Sequence, residues 1–126
     1  SMIQFKNFLC DLGSQPKGRN SYKVRWDFTS TTPNINEEIE SIQPSCGCTA
    51  ELTISQLEQI SNTSTYSGFI EGTYTSNESE IGVIEKSVIV WMRDSQEKTI
   101  PNSVGGYDIN PNKLKSTLKL RIDHGV

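Results

Sequence analysis

Residues 22–28 read Y-K-V-R-W-D-F, and this alternation constrains the fold more than any other stretch. In an extended chain successive side chains point to opposite faces, so Tyr22, Val24, Trp26 and Phe28 share one face. Lys23, Arg25 and Asp27 share the other. Wound as a helix, the same segment would scatter its aromatics around the axis, so it reads as a strand with one wet face. The residue types agree with this. The chain has 13 Ile and 6 Val but one alanine, Ala50, while Ser, Thr and Asn fill 36 of its 126 positions. Ile, Val and Thr lose rotamer freedom in a helix and fit a pleated sheet; alanine is the best helix former. A helical bundle is all but excluded. So is a transmembrane helix, since no run approaches ~18 apolar residues. A net charge of −3 also argues against nucleic-acid binding through bulk positive charge.

The same period recurs along the chain. Ile3 and Phe5 share a face before the turn-rich stretch Gly13-Ser14-Gln15-Pro16-Lys17-Gly18. Residues 35–42, with Ile35, Ile39 and Ile42, read as a strand ending before Pro44. Residues 50–60 carry the one expected helical turn, with Ser55 capping Gln56-Leu57-Glu58. Residues 69–75 read as a strand. So do residues 83–93, with Ile84, Val88, Val90 and Met92 on one face and Glu85, Ser87, Ile89, Trp91 and Arg93 on the other. Large apolar groups on both faces near Trp91 require a second cover there: a loop or a partner. Residues 94–112 read as a loop with turns at Gly105-Gly106 and Asn110-Pro111. Residues 114–123 close the chain, with Leu118, Leu120 and Ile122 facing in. About seven strands bounded by turn residues predict an antiparallel sandwich and one domain, 1–126.

One local signature stands out: Ser45-Cys46-Gly47-Cys48-Thr49, directly after Gln43-Pro44. Before it come Cys10-Asp11-Leu12-Gly13, Pro16-Lys17-Gly18 and the 22–28 strand. After it come Glu85-Lys86-Ser87-Val88-Ile89-Val90 and Leu118-Lys119-Leu120-Arg121-Ile122. In this order the chain resembles a bacterial and phage family of unknown function built from immunoglobulin-like domains of the Hydin-related type. The resemblance implies an immunoglobulin-like antiparallel β-sandwich of about seven strands. The chain departs from the family in lacking a Pro-Gly turn, replaced by 61–68, and in the length of its 94–112 loop. Loops on a rigid sandwich tolerate insertion and carry binding, so both are candidates for a role of their own.

Cys46 and Cys48 admit three chemistries. Two thiolates on one turn suit a soft metal, but a closed zinc site needs four ligands, and only Cys10 and His124 remain to supply them. A disulfide across one residue is the second. The third, and the expectation here, is a tight turn with Gly47 at positive φ and two small sulfur side chains filling space between the sheets. Three cysteines are too few, and odd in number, for a disulfide scaffold.

No catalytic set is expected. His124, the sole histidine, lies two residues from the end, where chains fray. Glu37, Glu38 and Glu40 read as a solvated face. Lys113, Lys115, Lys119 and Arg121 read as outward charges guarding a sheet edge rather than a nucleic-acid patch. Ser1 ahead of Met2 reads as a cleavage scar on a natural start codon. With no signal peptide visible, a virion or the host cytoplasm is the expected location.

Two function classes follow. The first is a non-enzymatic structural or interaction module without cofactor, a phage virion or virion-accessory protein. It would contact proteins or its own copies through the Ile89, Trp91 and Arg93 face or the 94–112 loop, with no nucleic-acid or membrane partner. The alternative is a soluble metal- or redox-handling protein using Cys46 and Cys48.

Overall fold

The alternating segment at 22–28 lies inside a ten-residue strand whose apolar residues face a second sheet. A computed structural model describes residues 3–125. In chain order the strands are β1 (Ile3–Phe5), β2 (Leu9–Ser14), β3 (Ser21–Ser30), β4 (Ile39–Pro44), β5 (Thr49–Ile54) and β6 (Glu58–Gln59). They continue with β7 (Tyr66–Thr75), β8 (Gly82–Met92), β9 (Thr99–Pro101), β10 (Tyr107–Ile109) and β11 (Lys115–His124). One sheet runs β1-β3-β7-β5, with β6 also on β7; the other runs β2-β11-β8-β4. Strands β9 and β10 form a separate hairpin. The protein is an all-β sandwich. Among the described residues no helix is long and apolar enough to cross a membrane.

The core lies between the two sheets. Val24, Trp26, Phe28, Ile70 and Tyr74 come from the first, and Val88, Val90, Met92, Leu118, Leu120 and Ile122 from the second. Three large aromatics, each removing ~150–250 Å² from water, explain how a 33% hydrophobic chain fills this space. The Trp26 indole donates across the sandwich to the Lys119 carbonyl at 2.9 Å.

Four local expectations change. Gly13 and Ser14, read as the start of a turn, end strand β2 instead, and β2 pairs β11 in parallel, so the sandwich is not wholly antiparallel. The chain changes sheets at Asn7, whose side chain accepts from Asp27 N at 2.8 Å and donates to the Arg25 carbonyl at 3.2 Å. Those bonds occupy backbone groups of β3 where β1 has ended. The expected helical turn at Ser55 is absent. Ser55 instead exchanges bonds with Phe69: its N donates to Phe69 O at 2.8 Å and its Oγ accepts from Phe69 N at 2.9 Å. A sheet partner outcompeted a local cap. Residues 35–42 divide into a 3-10 turn (Ile35–Glu37), capped by Asn34, and the start of β4. The 94–112 segment, read as loop, contains the β9–β10 hairpin.

A bulge in β5 shapes the edge of the first sheet. Ala50 pairs Thr73 and Thr53 pairs Glu71, leaving Glu51 and Leu52 opposite Gly72 alone. Glu51 takes a positive φ of 56° to make the bulge. A Cβ on Gly72 would lie 2.9 Å from the Ala50 carbonyl and 2.8 Å from Leu52 Cδ2, so only glycine permits this approach.

Candidate functional site

The β9–β10 hairpin is the most exposed apolar feature. Its register places Pro101 opposite Tyr107 and Thr99 opposite Ile109 on one face, and Ile100 opposite Asp108 on the other. Val104 at the tip is 88% exposed, Tyr107 71% and Ile109 61%. The turn is organised by Asn102. Its Oδ1 accepts from Val104 N at 3.2 Å and Gly106 N at 2.9 Å, and its Nδ2 donates to Asp108 at 3.1 Å. Gly105 supplies the positive φ, 83°, that the turn needs.

The hairpin's base is held by buried polar groups. Asn110 donates from Nδ2 to the Glu97 carbonyl at 2.9 Å, and its N donates to the Lys98 carbonyl at 2.9 Å. Lys113, fully buried, donates to Asp94 Oδ1 at 2.8 Å and Glu40 Oε1 at 3.1 Å. The hydrogen bond from Lys113, helped by backbone N–H groups of Leu114 and Gln96, holds the Asp94 carboxyl below its ordinary range. Reciprocally, the bond to Asp94, then that to Glu40, raises Lys113 against the opposing effect of burial. A buried ammonium with two carboxylates ties the hairpin to β4. Glu40 thus pairs Lys113 while remaining exposed, in the solvated position expected of it.

The strand face expected around Trp91 is covered by this segment together with the flanking strands. Trp91 is 5% exposed. Lys98 and Lys115 lie over its ring at 5.6 and 5.4 Å from the centroid, and its indole donates to Gln43 at 3.0 Å. Ile89 is half-buried. Arg93 is exposed, but its guanidinium donates to the Asn36 carbonyl at 2.9 Å. Of the two covers expected at Trp91, the loop supplies part through Lys98, and the neighbouring strands supply the rest through Lys115 on β11 and Gln43 on β4.

The basic run also changes meaning. β11 lies between β2 and β8, so its charges guard no edge. Lys113 is buried, Lys115 caps Trp91, and Arg121 pairs Asp11 at 3.6 Å. Lys119 remains exposed.

At the other end of β4, Cys46 and Cys48 are joined by a disulfide. The expected left-handed Gly47 is not found: Gly47 is not among the glycines at positive φ. Ser45 N donates to the Ser87 carbonyl at 2.9 Å, Ser87 N to Ser45 Oγ at 3.1 Å, and Thr75 N to the Cys48 carbonyl at 2.8 Å. Thr49 is buried and starts β5. Cys10 is a free thiol, half-buried on β2. Among the described residues no three His, Cys, Asp or Glu side chains gather to hold a metal.

His124 does not fray. It is fully buried, with Nε2 3.1 Å from Glu80 Oε2 and Nδ1 3.0 Å from the Pro16 carbonyl. A carbonyl only accepts, so Nδ1 carries a hydrogen. Tyr74 donates to the same Glu80 carboxyl, 2.7 Å from each oxygen. Burial first, then this bond and the charge of Glu80, push the Tyr74 phenol far above its ordinary range. Three ionisable groups scattered over 51 positions thus lock the 15–20 and 76–81 loops to the end of β11.

The hairpin had a usable signal: Thr-Ile-Pro and Tyr-Asp-Ile flank a five-residue Asn-Ser-Val-Gly-Gly, the pattern of a longer hairpin loop. The His124 network had none, because its members share no local spacing. No family model, no curated protein and no solved structure matches this chain.

Proposed function

We propose that this chain is a non-enzymatic, immunoglobulin-like interaction module, a component or accessory of a phage virion, that docks on protein through the 99–109 hairpin. One observation carries the reading: the hairpin exposes Ile100, Val104, Tyr107 and Ile109 while the buried Lys113, bonded to Asp94 and Glu40, holds its base in place. Two isolated strands are marginal in water, and an ordered apolar projection is an interaction element by its physical chemistry. Residues 99–109 contain Asp108 and no Lys or Arg, which favours a protein partner over nucleic acid or an anionic membrane surface. The strand order supports the immunoglobulin-like type. Counting β1, β3, β4, β5, β7, β8 and β11 as A to G places A, B, E and D in one sheet and C, F and G in the other. The phage setting rests on the resemblance at Ser45–Thr49.

A second copy of the chain is the first partner to test, by light scattering over a concentration series. The expected result is a mass that rises with concentration. Tyr107→Ser combined with Ile109→Ser should return it to the monomer without lowering the melting temperature. A wild-type monomer at every concentration, retaining no virion or host protein, refutes the reading.

A further inference from the structure

We propose that Cys46 and Cys48 form a reversible thiol–disulfide exchange site rather than a structural staple. The disulfide closes across one residue, and the constraint a disulfide places on the unfolded chain grows with ring size, so this one constrains little. The turn is anchored without it. Ser45 is bonded to Ser87 on one side, through its backbone N and its hydroxyl, and the Cys48 carbonyl to Thr75 N on the other, by hydrogen bonds that involve neither sulfur. The sulfurs are also within reach. Both cysteines are half-buried and Gly47 is exposed, with nothing within 4 Å of where its Cβ would stand. An incoming thiolate approaches over that glycine. Cys48 packs against the core and Cys46 does not, which makes the Cys46 sulfur the one attacked.

With a small or protein dithiol as reductant, its thiolate bonds to Cys46 Sγ and the Cys46–Cys48 bond breaks. Cys48 leaves as a thiolate and takes up a proton. The second thiol of the reductant, giving up its proton, then displaces Cys46. Cys46 and Cys48 end as two thiols and the dithiol as a disulfide, with two electrons and two protons transferred. The site lies at the opposite end of β4 from the hairpin, so it stands or falls independently of docking there.

The test uses the full chain carrying Cys10→Ser, to prevent exchange with the free thiol. Native protein is equilibrated in dithiothreitol redox buffers, quenched by alkylation and weighed. Both thiols should appear together, reoxidise fully, and leave tryptophan fluorescence native. Reduction should lower the melting temperature by no more than about 6 °C, the limit set by a three-residue ring in a chain of this size. With oxidised glutathione, Cys48→Ser should form a mixed disulfide at Cys46 several-fold faster than Cys46→Ser forms one at Cys48. A disulfide that resists dithiothreitol until the protein unfolds overturns the proposal. So does a larger loss of melting temperature, a pair that never oxidises, or the reverse order of trapping.

Discussion

Replacing Tyr74 by Phe removes one hydroxyl from a fully buried site and keeps the ring. The hydroxyl donates to Glu80, which is 7% exposed and also faces His124. A hydrogen bond to a charged group contributes about 1.5–3 kcal/mol, and water cannot readily replace it at this burial. Unfolding entropy near 2.1 cal/mol/K per residue gives about 0.26 kcal/mol/K for a chain of this length. Tyr74→Phe should therefore lower the melting temperature by about 6–11 °C. His124→Leu leaves the Pro16 carbonyl short of a donor and the Glu80 carboxyl without its ring partner. Leaving a buried polar group unsatisfied costs about 1–3 kcal/mol, or roughly 4–11 °C. Because both variants act on one carboxyl, the double variant should depart from additivity by about 0.5–3 kcal/mol. Thermal and urea unfolding of the four proteins measure the cycle. Native Tyr74 should also be silent in the 295 nm alkaline titration, which Tyr74→Phe would then leave unchanged. A loss under about 2 °C for Tyr74→Phe, or strict additivity, refutes the shared-acceptor network.

Other expectations follow from the same interactions. Asp94 is held below its ordinary 3.8, so its contribution is present above that pH and lost as pH falls through the lowered folded value. Lys113 and Tyr74 are raised from 10.5 and 10.0, so their contributions are complete below those values and decline above them. Thermal melts should show a plateau between roughly pH 5 and 9 with losses on both sides; Lys113→Met should flatten the acid limb and speed proteolysis within 94–112. Gly72→Ala forces a methyl against the Ala50 carbonyl and should cost about 1–3 kcal/mol, read as a melting temperature lower by about 4–11 °C. No change there would mean that the β5 bulge shifts freely.

Much of the fold was legible because burial in a sheet has a period of two. The inward sets Val24, Trp26, Phe28 and Leu118, Leu120, Ile122 follow from alternation alone, and all six are fully buried. The site was less legible. Trp91 could be recognised as needing cover on both faces, but its cover arrives from Lys98 and Lys115, on different sides of the hairpin. Ser55 carried a sound helix cap and became a sheet contact instead, since pairing with Phe69 satisfies the same backbone groups and buries the neighbouring apolar side chains.

The sequence by itself determined that this chain is a sandwich of half-wet strands, because alternation and the near absence of alanine leave no other way to bury its Ile, Val and aromatic side chains. Only the tertiary structure decided which strands are neighbours. Pairing is set by backbone groups that every residue carries alike, so no local pattern announces that β2 lies parallel to β11 or that β11 is central. The same holds for the polar interior. Lys113, Glu80 and His124 look like surface and terminus in one dimension. They are buried because partners, Tyr74 six residues from Glu80 and the others 19 to 108 residues away, supply the hydrogen bonds that make burial affordable.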